Sequence, residues 1–262
     1  MKTIIYVIVS FFSTLIGSIS GMGGGVIMKP IFDMLGEYSP FQISVLTSST
    51  VFAMSAVSVA TGYKKFREEK DNNKTFLFIA AGSLVGGYIG NALFNLLIGN
   101  VKNESAVKAI QNGVLLLLVC AVIIYMNKKE RKSLEVKNNF AGAPVGLILG
   151  IISAFLGIGG GPINVAVLIF VFGFEIKTAV LCSLLSVFLC QGAKLLSTGS
   201  AVFSAFSTNI CLFVVAAGVF GALCGRMINK KLSGKAVGSV YTAVQIIVII
   251  MCALNICRSL FA

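Results

Sequence analysis

The sequence contains no histidine. That excludes Ser-His-Asp and Cys-His catalytic arrangements within the chain, together with histidine-ligated haem. It also removes part of the usual zinc-ligand set, and the cysteines do not replace it. They stand at 120, 182, 190, 211, 224, 252 and 257, all inside apolar stretches and none at CxxC spacing. Such cysteines read as small apolar packing residues. Acidic residues are scarce as well, nine against 21 lysines and arginines, and charged residues are 11% of the chain. With no nucleophile–base pair and no metal cluster in view, neither an enzyme nor a cofactor is expected.

What is abundant is apolar. Hydrophobic residues make up 57% of the 262, and mean hydropathy is +0.96. A soluble domain of this size needs more polar surface, so the composition defines an all-α polytopic membrane protein in contact with a lipid bilayer. The net charge of +12 would suit a nucleic-acid partner in a soluble protein. Here the basic residues fall in short loops between apolar stretches, where they report membrane orientation, and nucleic acid is excluded.

Two glycine runs organise the chain, Gly21-Met22-Gly23-Gly24-Gly25 and Gly157-Ile158-Gly159-Gly160-Gly161. Each glycine costs a helix roughly 1 kcal/mol against alanine, so both runs break the apolar segments that carry them. In hydrocarbon the freed peptide groups need partners inside the protein or in a water-filled cavity. Their recurrence about 136 residues apart, near half the chain length, points to two related halves. Broken helices at matching positions of two halves mark a transporter's binding site.

In chain order the apolar segments are 2–20, 22–36, 40–63, 75–98 and 106–126, then 140–156, 162–173, 176–198, 206–227 and 236–257. A signal peptide ending near Ser18-Ile19-Ser20 is the competing reading of the first segment. Residues 140–156 repeat the same arrangement before the second run, so cleavage would remove an element that its counterpart keeps. Val45-Leu46-Thr47-Ser48 corresponds to Val180-Leu181-Cys182-Ser183, and Gly86 and Gly90 to Gly221 and Gly225. Gly82, Gly86 and Gly90, four apart, suit close helix packing. The expected division is 1–126 as a first transmembrane repeat, 127–139 as a basic linker and 140–262 as a second repeat.

Charge sets the expected orientation. Loops 64–74, 127–139 and 226–235 hold most of the lysines and arginines, leaving Lys2, Lys102, Lys108 and Arg258 for the other side. The positive-inside rule makes those loops cytoplasmic and both termini external. Each half then crosses an odd number of times, as five segments or as three spanning helices plus a glycine-tipped re-entrant hairpin. The second half is thereby inverted, and the two glycine hairpins meet near the midplane.

Helices starting after Gly25 and Gly161 aim their positive ends at that meeting point, which makes an anion site without a metal. The competing reading of either run is a tight helix crossing. Lys29, about one turn beyond the first run, is a candidate to attract an anion; snorkelling and an intrahelical pair with Asp33 are its alternatives. Lys194 and Gln191 are similar candidates, with snorkelling favoured for Lys194. Thr47, Ser48, Ser49 and Ser183 can donate hydroxyls to an oxyanion or bond back to a carbonyl one turn earlier. The candidate substrate-binding set is Gly21, Gly23, Gly24, Gly25, Lys29, Thr47, Ser48, Gly157, Gly159, Gly160, Gly161, Asn164, Ser183 and Gln191.

An apolar helix, GxGGG, a short second helix and a span opening near a small-Thr-Ser triplet together resemble the TauE/SafE sulfite exporter family of bacterial membrane permeases. The resemblance extends over essentially the whole chain and includes the duplication. The family usually has Gly-Thr-Ser where this chain has Leu46-Thr47-Ser48 and Leu181-Cys182-Ser183. The resemblance implies transport of a small sulfur-containing anion such as sulfite, sulfoacetate or a related organosulfonate across the inner membrane. A permease for another small anion or metabolite, and an assembly subunit that moves nothing, are the alternatives; a homo-oligomer is left open.

Overall fold

The computed structural model describes residues 2–69, 72–101, 103–128, 133–205 and 208–261, and among them the secondary structure is helical throughout. The helices are α1 (Lys2–Ser20), α2 (Gly25–Leu35), α3 (Pro40–Glu68), α4 (Asn73–Asn100), α5 (Glu104–Met126), α6 (Gly142–Leu156), α7 (Pro162–Phe172), α8 (Ile176–Thr198), α9 (Ala201–Ser204), α10 (Thr208–Lys231) and α11 (Gly234–Phe261). A 3-10 turn, Asn139–Ala141, leads into α6. Among the described residues, eight helices are long and apolar enough to cross a membrane: α1, α3, α4, α5, α6 with its 3-10 lead-in, α8, α10 and α11. At 11 residues each, α2 and α7 rise roughly 16 Å, about half a hydrocarbon core.

Local chemistry sets the boundaries. Ser39 and Gln42 form a reciprocal capping box, with Pro40 as the first residue of α3. Asn103 accepts from the Ser105 and Ala106 amides to start α5. Two expected loops prove shorter. α3 continues through Lys64, Lys65 and Arg67 to Glu68, and α10 through Arg226, Lys230 and Lys231. Lysine and arginine are good helix formers, and at a helix C-terminus their charge complements the exposed carbonyls. Lys70, Lys102, Lys129, Arg131, Lys132 and the side chain of Lys2 lie outside what is described.

α3 and α8 form the centre, with 61% and 67% of their apolar windows buried against 33% for α5, α10 and α11. They run antiparallel: Glu69 accepts from Thr178 (2.9 Å), Phe52 stacks on Phe188 (5.0 Å), and Ser44 meets Lys194 (2.6 Å). Glycine permits two close crossings outside this pair. A methyl on Gly82, Gly86 or Gly90 of α4 would collide with the carbonyls of Ala143, Leu147 or Ile151 on α6. On α10, methyls at Gly221 and Gly225 would collide with the Phe11 and Leu15 carbonyls of α1. The first helix thus packs on α10, far along the chain, and α6 packs back on α4. Outer faces carry exposed Phe12, Leu77, Leu117, Phe213, Phe220 and Ile250, the chemistry that lipid solvates.

Contacts sort the connecting segments onto two ends. At one end lie Glu69 with Thr178, the Lys65–Lys177–Arg226–Lys230 cluster, and Leu134 bonded to the Phe170 carbonyl. At the other, Lys108 donates to the Tyr38 carbonyl (3.3 Å) and Arg258 to the Met34 carbonyl (2.9 Å). Burial, reinforced by the Glu37 carboxylate, raises the Tyr38 phenol there above its ordinary pKa and keeps it neutral.

Candidate functional site

The first glycine run closes α1 with a bond from the Gly21 amide to the Gly17 carbonyl (2.9 Å). Gly21 and Gly23 then take φ of +74° and +71°, a region that costs other residues 1–2 kcal/mol. Gly24 is helical at φ −62°, so space rather than backbone sign demands glycine there; a methyl would press on Thr14. The second run is more contorted, with positive φ at Gly157, Gly159, Gly160 and Gly161. Both runs lie in the buried interior.

They touch. The Gly161 amide donates to the Met22 carbonyl (2.7 Å). A methyl on Gly23 would overlap the Gly159 carbonyl, and one on Gly25 the Ile158 carbonyl. The central helices brace this crossing from either side. Val51 of α3 packs on Gly159 and Val187 of α8 on Gly160. Ser183 donates to the Gly21 carbonyl (2.8 Å). The Thr47 hydroxyl lies within bonding distance of the Gly157 carbonyl (2.8 Å) and of the Ile43 carbonyl one turn earlier (2.7 Å). Thr47 and Ser183 therefore spend their hydroxyls on the glycine backbone and on their own helix. Neither is free for an oxyanion in this arrangement.

Other candidates keep unused capacity. Ser48 Oγ, Asn164 Oδ1 and Gln191 Oε1 are buried with no hydrogen-bond partner among the described residues. Asn164 sets its amide nitrogen beside Gly160, and Gln191 follows Cys190 on the face of α8 that meets α6. A buried polar atom left unmatched costs about 1–3 kcal/mol, so each of these three positions has room for a partner.

The two lysines reverse their expected ranking. Lys29 pairs with Asp33 (2.9 Å, i to i+4) with both side chains buried, which realises the intrahelical-pair alternative. Lys194, expected to snorkel, is only 2% exposed. Its ammonium donates to Ser44 Oγ (2.6 Å) and the Ala154 carbonyl (2.9 Å), and it lies 5.2 Å from the centre of the Phe94 ring. Among the described residues no carboxylate comes within ion-pair distance of it. The Ala154 carbonyl belongs to the last turn of α6, whose negative dipole end offsets part of the charge. Gly157 lies immediately beside the ammonium. The sequence signal for Lys194 was a lysine inside an apolar span; its position four residues from the end of α8 disguised its depth.

No group of three or more acidic, cysteine or histidine side chains is placed to hold a metal among the described residues. The arrangement defines a multi-pass membrane protein with a glycine crossing in its interior and a buried lysine that has no carboxylate within ion-pair distance among the described residues, and the comparisons place it as a membrane transporter. The profile described as sulfite exporter TauE/SafE matches residues 6–254, and the chain belongs to that family. The probable membrane transporter protein YunE of Bacillus subtilis is 24% identical over 95% of this chain and 96% of its own. The probable membrane transporter protein MJ0441 of Methanocaldococcus jannaschii is 25% identical over 87% of each. No solved structure matches.

Proposed function

We propose that the chain is a permease for a small oxyanion, with sulfite, sulfoacetate or a related organosulfonate as cargo. The observation that carries this reading is the Lys194 ammonium, buried beside Gly157 without a carboxylate partner. A lone cation in a low-dielectric interior is costly, and an anion bound there would relieve it. Ser48 keeps an unpartnered hydroxyl as a donor, Asn164 sets its amide nitrogen beside Gly160, and glycine lets backbone approach the cargo closely. The chemistry of the cargo is taken from the family's description.

In this reading residues 1–126 and 140–262 are inverted repeats joined by the basic linker 127–139. The antiparallel meeting of α3 with α8 and the reciprocal packing of α1 on α10 and α6 on α4 support that relation. The half-length α2 and α7 return the chain from the glycine crossing to the side it entered from, as re-entrant hairpins do. The closed crossing is an occluded state, and rocking of the halves opens it alternately to each side. The basic end is cytoplasmic in an inner membrane, and both termini are external.

Purified protein in liposomes tests the proposal directly. Saturable flux of labelled sulfite or sulfoacetate is expected from the wild type. Lys194→Met, an apolar replacement of similar length, should remain monodisperse while anion affinity falls roughly ten- to a hundredfold, the worth of one bond to a charged group. Wild-type affinity in Lys194→Met would move the site away from the crossing.

A further inference from the structure

We propose that the Nε–Nη2 edge of Arg226 is a second oxyanion-binding site, at the basic end of the bundle and separate from Lys194; this deepens the anion-carrier reading and rests on it. Arg226 lies on α10 and is only 3% exposed. Its guanidinium packs against Gly62 of α3, where a methyl would collide with Nη2, and Phe66 borders the same spot. Nε and Nη2 are both buried with no hydrogen-bond partner among the described residues. No carboxylate among those residues pairs with the group. The two nitrogens share one edge of the guanidinium. Their N–H bonds run parallel and fit two oxygens of a single sulfonate, sulfite or phosphate group. Burying an arginine with that edge empty is costly, and a bound oxyanion would satisfy it.

The setting is cationic. Lys65 of α3 lies within electrostatic range of Arg226, of Lys177 on α8 and of Lys230 on α10, with Glu68 as the carboxylate beside it. Glu69, the next carboxylate along α3, already accepts from Thr178 and Asn72. Because α3 and α8 are the buried central pair, the cluster caps the middle of the bundle and not its lipid-facing rim. That placement favours a free anion over a lipid headgroup.

The other end of the bundle supplies a contrast. The offset that relates Gly86 and Gly90 to Gly221 and Gly225 also relates Asn91 to Arg226 and Ser197 to Gly62. Asn91 donates to Ser197 Oγ (2.8 Å), so α4 and α8 close that position with a neutral hydrogen bond. In the corresponding place α10 and α3 set a guanidinium over a bare glycine. The same offset pairs Lys65, Lys177 and Lys230 with Ser200, Gln42 and Asn95, all neutral. Packing a helix at this position therefore does not require the charge. Along α3 the order is Ser44, which meets Lys194; Val51, which packs on the glycine crossing; and Gly62, which meets Arg226. Roughly 27 Å of helix, by rise per residue, separates the first from the last. The two unpaired cations thus stand on opposite sides of the crossing. An anion that passes it leaves one countercharge and meets the other.

The test counts labelled sulfoacetate bound to the full-length protein in phosphatidylcholine nanodiscs, which leave both faces open to solution. Wild type should bind two molecules per chain. R226M, which removes a buried charge and should stay monodisperse, should bind one, at Lys194; K194M should keep the one at Arg226. R226K retains the charge but loses the parallel edge, and its second molecule should bind roughly tenfold more weakly. Two molecules bound by R226M, one bound by wild type, or both wild-type affinities in R226K overturns the site. Loss of both molecules in monodisperse R226M makes Arg226 a structural residue and overturns it as well. Nanodiscs containing phosphatidylglycerol distinguish the source of the anion. An unchanged count of two upholds a site for free oxyanion; a fall to one in wild type, with R226M unaffected, assigns the edge to a lipid phosphate and overturns it. Absence of sulfoacetate and sulfite binding by wild type overturns the anion reading itself, a result distinct from one site in place of two.

Discussion

At the scale of single residues, burial and partnership separate groups that one-dimensional sequence treats alike. Lys29 and Lys194 both read as lysines in apolar segments, yet one has a carboxylate one helical turn away and the other, among the described residues, has a hydroxyl, a carbonyl and a ring. The Lys29–Asp33 spacing was visible in the sequence. The neighbours of Lys194 come from α3, α4 and α6, and no local pattern foretells them. The hydroxyls divide in the same way, which gives a graded prediction. Ser183→Ala strips the buried Gly21 carbonyl of a donor and should destabilise the detergent-solubilised protein by about 1–3 kcal/mol. Thr47→Ala should cost a comparable amount. Ser48→Ala removes an atom with no partner and should leave the thermal midpoint unchanged or slightly raised, while weakening anion binding. Thermal unfolding of the three variants, with and without sulfoacetate, checks the order; a large midpoint loss in Ser48→Ala would make that hydroxyl structural.

At the scale of elements, glycine does two different jobs, and the sequence separates them only in part. Spacing by four, as in Gly82, Gly86 and Gly90, correctly announces a helix seam, although not that α6 is the partner. The GxGGG runs announce a break in the helix. Their mutual contact depends on the folding of residues far apart in sequence, and so does the difference between Gly24 and Gly160. Alanine substitution should expose the distinction. Gly160→Ala places a methyl at φ +115° against Val187, where backbone strain and collision combine, and should abolish transport. Gly86→Ala forces α4 and α6 apart and should lower stability by roughly 1–3 kcal/mol, the usual scale for overpacking, with activity falling in parallel. Gly113→Ala, on α5 with open space around it, should be neutral or stabilising because alanine is the better helix former. Size-exclusion profiles and flux measured on the same preparations distinguish the three. Normal transport by Gly160→Ala would show that the crossing tolerates a side chain.

At the scale of the whole molecule, charge patterning and segment order were legible because each loop carries its own signal. Element boundaries agree with the apolar runs except where basic residues prolong α3, α10 and α11. The packing of α1 on α10 and of α6 on α4 was not legible, because only contacts between distant segments express it. Orientation now has a sharp test. Lys65 shares one end of the bundle with Lys177, Arg226 and Lys230, while Arg258 bonds to the Met34 carbonyl at the other. A membrane-impermeant thiol reagent applied to intact cells should label a cysteine at position 258 and spare one at 65. Inside-out vesicles should give the reverse. The background for both needs Cys120, Cys211, Cys224 and Cys257 replaced by serine or alanine, since these native thiols are exposed or half-buried. Full reversal of the pattern would keep the fold and invert its insertion, against the excess of positive charge. Labelling of both positions from one side would be incompatible with α3 and α11 delivering these residues to opposite ends, and with it the inverted relation of the two halves would fall.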